Sequence, residues 1–171
     1  MKPLAFRIAT TVLALVALAS PASSATTDKA VQALRSGDYK AALAELRPLA
    51  AKNDPQAQFC LGWMYAEGSG VKEDHTEAIR WLSKSAAQRN TRAMGMLATE
   101  LFTRSLEAQD LVDAYAWSHL AAEMDPGQAR TATRLVIEKH CSDDQKAQGQ
   151  ALMADWKRKW ASGALATSTA P

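Results

Sequence analysis

Three histidines (His75, His119, His140) and two cysteines (Cys60, Cys141) make up the soft-ligand inventory of this chain. Zinc sites draw three or four such groups at short, regular spacing. No pair here has that spacing, and His-Glu-x-x-His is absent. No metal and no cofactor is expected. His119 and Glu123 stand four apart, which places them on one face of a helix. A surface ion pair or hydrogen bond is the plain reading of that pair, and metal binding or proton transfer is the other. His140 and Cys141 adjoin, and a thiol beside an imidazole can act as a nucleophile. No third residue is in sight to orient them. Ser69-Gly70-Val71-Lys72 fits the Ser-x-x-Lys pattern of penicillin-binding enzymes, but the companion Ser-Asp-Asn and Lys-Thr-Gly motifs are missing. No catalytic residue is assigned, and the chain reads as a non-enzyme.

The elements that carry these residues follow from composition. Of 171 residues, 47% are hydrophobic and 22% charged, with only eight glycines and six prolines. Alternating runs of Val, Ile and Thr are absent, so the expected class is all-α. Eight helices are expected, at about 28–36, 38–52, 55–67, 74–88, 91–103, 110–124, 126–139 and 143–160. Several have legible ends. Asp54-Pro55 is an N-cap with proline at the first helical position, and Asp125-Pro126 repeats it. Gly68 and Gly70 stop a helix, and Asn90 closes another and begins the next turn. Asp74-x-x-Glu77 and Ser142-x-x-Gln145 have the form of capping boxes.

Residues 1–25 stand apart. Lys2 and Arg7 precede an apolar run at 8–18, too short for a bilayer-spanning helix, which needs about 20 residues. Ser20-Pro21 breaks the run, and Ser23, Ser24 and Ala25 are small. This reads as a secretory signal cleaved after Ala25, giving a periplasmic or secreted protein. No cysteine follows the run, so no lipid anchor is indicated, and no membrane insertion is expected after cleavage. The signal holds two of the 20 basic residues and none of the 18 acidic ones, which leaves the mature chain formally neutral. A general nucleic-acid role then lacks its electrostatic basis. Residues 26–160 are expected to form one repeat domain, and 161–171 a disordered tail.

Sliding the chain by 36 residues aligns Ala42, Ala78 and Ala114, and also Ala50, Ala86 and Ala122. At the same offset Trp81 meets Trp117 and Leu61 meets Leu97, while Gly62 and Tyr65 meet Ala98 and Leu101. One helical pair cannot bury its apolar stripe alone, so such repeats stack. Ala57, Leu61, Gly62, Tyr65, Gly68, Gly70 and Val71, followed by Ala78, Trp81, Ala86 and Ala87, resemble a complete Sel-one-like repeat (SLR). The unit from Ala93 to Ala122 resembles a degenerate copy, and Gly37, Asp38, Tyr39 and Ala42 are closer to the tetratricopeptide pattern. The resemblance covers about 28–160. It implies an α-solenoid of stacked antiparallel helix pairs that works by holding another protein or peptide, with no shared catalytic residues.

If the first helix of each repeat lines the concave side, as in tetratricopeptide folds, then Phe59 and Trp63 face the groove, with Arg92, Thr99 and Phe102 from the next repeat. Aromatic residues and arginine are the composition of binding hot spots. The other reading packs Trp63 and Phe102 against neighbouring helices. The expected role is an exported adaptor or scaffold for an unidentified protein or peptide. An envelope enzyme or enzyme subunit acting on cell-wall or β-lactam substrates is the alternative. Stacked helices also separate Cys60 from Cys141 by on the order of 20 Å, whereas a disulfide needs Cα atoms within about 7 Å. No bridge between them is expected.

Overall fold

The computed structural model describes residues 22–104 and 108–163. The proposed signal lies outside them apart from 22–25, and so does the proposed tail apart from 161–163. The described residues form eight helices: α1 (Ala22–Arg35), α2 (Tyr39–Ala51), α3 (Pro55–Glu67), α4 (His75–Ala87), α5 (Thr91–Arg104), α6 (Ala108–Met124), α7 (Gln128–His140) and α8 (Asp143–Ala161). Successive helices from α1 to α7 pack pairwise into an all-α solenoid, and α8 packs on α6. None of the described helices is long and apolar enough to cross a membrane.

Local chemistry sets most helix ends. Asp38, Asp54 and Asp74 each accept a hydrogen bond from the backbone N–H three residues on, at 3.0, 2.7 and 3.0 Å. Each satisfies a donor that the helix itself cannot. Ser142 and Gln145 form a complete, reciprocal capping box. At the end of α3, Gly68 takes φ 65°, a left-handed conformation that costs glycine little.

Two of these expected ends differ, and Asn90 takes part in two helices at once. At Asp74 only half of the box forms, because the Glu77 carboxylate turns to Arg80, with Nη2 at 2.6 Å. Asn90 serves both helices: its N–H donates to Ser85 O at 3.3 Å, closing α4, and its Oδ1 accepts from the N–H groups of Arg92 and Ala93, opening α5. Arg89, at φ 68°, makes the left-handed turn between them. Asp125-Pro126 does not repeat Asp54-Pro55. α7 starts later, at Gln128, behind an N-cap Gly127 with no side-chain bond, because Asp125 is engaged by Arg130.

The core divides into two clusters. The first gathers Ala42, Leu46, Ala57, Cys60, Leu61 and Met64, and the second Leu82, Met94, Leu97, Tyr115, Trp117, Leu120 and Ile137. Phe59 packs on both and joins them. Gly62 lets α3 meet α4 closely, since a Cβ there would lie 2.7 Å from Leu82 Cγ. A polar seam stitches the repeat boundary. Fully buried Gln58 donates to Ala50 O (3.2 Å) and Asn53 Oδ1 (3.0 Å), and accepts from Gln88 Nε2 (2.8 Å). Ser85 Oγ and Asn90 Nδ2 both donate to Pro55 O.

The last pair is splayed: α7 and α8 both pack on α6. Trp156 stacks on Trp117 with ring centroids 4.0 Å apart, and Trp160 Nε1 donates to Ala87 O at 2.6 Å, covering the end of α4. Large aromatic surface draws α8 across α6. The stripe of Met153, Trp156 and Trp160 thereby caps the second cluster.

Candidate functional site

A cavity of about 270 Å³ opens between α3, α5 and α7, floored by α6. α5 supplies most of its wall. Asn90 caps that helix so that Thr91, Arg92, Gly95, Met96 and Thr99 fall along one side. Phe59 of α3 closes one flank, and Arg130 and Thr133 of α7 close the other.

Most polar groups in this lining are already committed. Thr99 Oγ1 donates to Gly95 O (3.0 Å), and Ser118 Oγ to Tyr115 O (2.9 Å). Asp125 ties α7 to α5: it accepts from Thr91 Oγ1 at 3.5 Å and pairs with Arg130. Arg92 is exposed, and its guanidinium makes no hydrogen bond or ion pair among the described residues.

Of the five residues expected in a groove, Phe59, Arg92 and Thr99 line this one cleft. Trp63 and Phe102 lie outside it. Trp63 is half-buried against the first cluster, and Phe102 packs on the second, edge-on to His140 at 5.2 Å between centroids. Both are drawn aside by apolar neighbours that spacing along one helix does not reveal. Helical spacing alone does not single out Gly95, Met96, Ser118 or Arg130, which also line the cleft. The 36-residue offset, which sets Gly95 on Phe59, was the available signal for the first of them.

The chemistry-bearing residues are dispersed. His119 does not pair with Glu123, which bonds Lys157 Nζ at 2.6 Å. Instead its ring stacks on Tyr115, with Nε2 buried, without a hydrogen-bond partner and 3.6 Å from Glu138 Oε2. Burial, reinforced by Arg134, pushes its pKa below the ordinary histidine value. A second cavity of about 300 Å³ lies beside it, between His119, Arg134 and Met153. His75 is clamped between Glu73 (2.7 Å) and Glu100 (2.9 Å). Cys60 and Cys141 are free and buried in different clusters. Burial raises both thiol pKa values, the opposite of what a reactive thiol needs. His140 Nδ1 faces Val136 O at 2.8 Å rather than the neighbouring thiol. Ser69 and Lys72 belong to the glycine-bearing loop between α3 and α4. Among the described residues no group of three His, Cys, Asp or Glu could hold a metal ion.

The Sel1 repeat family model matches residues 55–90 and 91–126, which are the helix pairs α3–α4 and α5–α6. The chain carries two Sel1 repeats. The Sel1 repeats hold the cleft's α3, α5 and α6 walls, and α7 comes from the flanking helices. A similar solved structure is a protective antigen present in uropathogenic Escherichia coli strains, described as displaying an SLR fold. Its TM-score is 0.74 with 29% sequence identity, over 84% of this chain and 32% of that one. This chain therefore spans about a third of that protein's length. No match was found among curated proteins. Sel1 repeats are a protein-interaction scaffold.

Proposed function

We propose that this Sel1-repeat protein is an exported, non-enzymatic adaptor that holds a segment of a partner protein in the cleft between α3, α5 and α7. The cleft carries the reading: it combines apolar wall (Phe59, Met96) with an uncommitted guanidinium (Arg92), on helices held rigid by the repeat stack. Such a mixture of aromatic and arginine side chains suits a hot spot. The export of the chain rests on residues 1–25, and the groove assignment on the likeness of α3 and α5 to the first helices of tetratricopeptide repeats.

Site-directed photo-cross-linking tests the face. A photoreactive phenylalanine analogue replaces Thr99 or Thr91 in the cleft, and Arg80 on the exposed side of α4, in the producing cell. Discrete adducts of one common partner from the two cleft positions, without the same adduct from Arg80, are expected. Equal adducts from all three positions, or none from the cleft, would overturn the assignment.

A further inference from the structure

We propose that the cleft receives an acidic segment of the partner, seating one apolar side chain over Gly95 while an adjoining carboxylate pairs with Arg92. This rests on the adaptor reading above.

Glycine is the poorest helix former after proline, yet Gly95 stands inside α5. Elsewhere in the helices packing demands glycine: a Cβ would lie 2.7 Å from Leu82 at Gly62 and 2.5 Å from Tyr115 at Gly149. At Gly95 the nearest atoms are Arg130 Cγ at 3.8 Å and Cδ at 4.0 Å, an ordinary contact. Packing does not require glycine there. Its missing side chain instead leaves the cleft open. One repeat earlier the same register position is Phe59, whose ring packs on both core clusters. The notch is thus where the array omits a side chain, and a partner can supply one.

Volume and charge narrow the occupant. About 270 Å³ falls just under the usual range of small-molecule pockets, about 300–1,000 Å³. It suits a single side chain better than a cofactor. Two arginines and no carboxylate line the cleft. Arg130 is already matched by Asp125, whereas Arg92 has no anionic partner among the described residues. A carboxylate beside the seated side chain supplies it, in a charge-assisted hydrogen bond.

The test is selection of random twelve-residue peptides on the full-length protein, followed by binding of synthetic, C-terminally amidated copies. Enriched peptides should place Asp or Glu beside an aliphatic or aromatic residue. Their affinity should fall at least ~10-fold with Gly95→Leu, which fills the notch, and with Arg92→Glu, which reverses its charge. Arg92→Lys should retain most of it at low salt. Arg92 is exposed, so Arg92→Glu keeps the test decisive even where Gly95→Leu fails to fold. Enriched peptides that lack acid, or that bind Arg92→Glu as well as wild type, overturn the notch while leaving the adaptor reading standing. A selection that enriches nothing overturns both.

Discussion

His119 shows how a residue chosen from spacing can end in a different chemistry. Its i+4 neighbour Glu123 leaves for Lys157, and the imidazole is pressed between Tyr115 and α7. A buried ring nitrogen without a partner favours the neutral form, so the folded-state pKa lies below the ordinary histidine value of 6.5. The unfolded chain then binds more protons than the folded one as pH falls through that value. Stability is complete above it and declines below. Arg134 adds to the effect, while Glu138 and Glu123 oppose it. Melting wild type and His119→Gln at about pH 7.5 and about pH 5.5 should show a larger acid loss in wild type. Equal losses would mean that the imidazole is solvated in both forms. Glu138 could not be foreseen as its neighbour, because it arrives from α7, whereas Tyr115 stands four residues before His119 on the same helical face.

Helices α3 and α5 were legible almost to the residue, and the reason is local. Asp54 and Pro55 begin one, Gly68 ends it, and all three act on backbone groups within four positions. α7 was misplaced because its start depends on Asp125 meeting Arg130 and Thr91, contacts made only after the helices pack. The seam at Gln58 is the same kind of feature on a larger span, linking the α2–α3 turn to the end of α4. Gln58→Leu removes one partner from Gln88 and from the carbonyl of Ala50, so it should cost about 1–3 kcal/mol. The double variant Gln58→Leu with Gln88→Leu should recover part of that loss, since it removes the orphaned amide as well. Urea midpoints at constant slope measure both. Additive losses would show that the two amides do not act together.

For the molecule as a whole, the export proposal is checked by N-terminal sequencing of the protein recovered outside the cytoplasm. Thr26 as first residue is expected, which would leave α1 as 26–35. Met1 retained on cytoplasmic protein would remove the signal assignment. The 36-residue period, with its recurring alanines, tryptophans and leucines, already implied a helical stack, because a repeat that cannot bury its own apolar stripe must bury it on the next. Capping side chains marked several helix starts for an equally local reason. The period also carried Phe59, Arg92 and Thr99 to one face. It could not tell that Trp63 and Phe102 turn to the core, that α8 lies on α6 instead of along α7, or that Gly95 lines a cleft. Periodicity assigns a residue to a side of its helix. Whether that side meets an aromatic ring, an ion pair or open space is decided by side chains from elements distant in sequence, and only the tertiary structure brings those together.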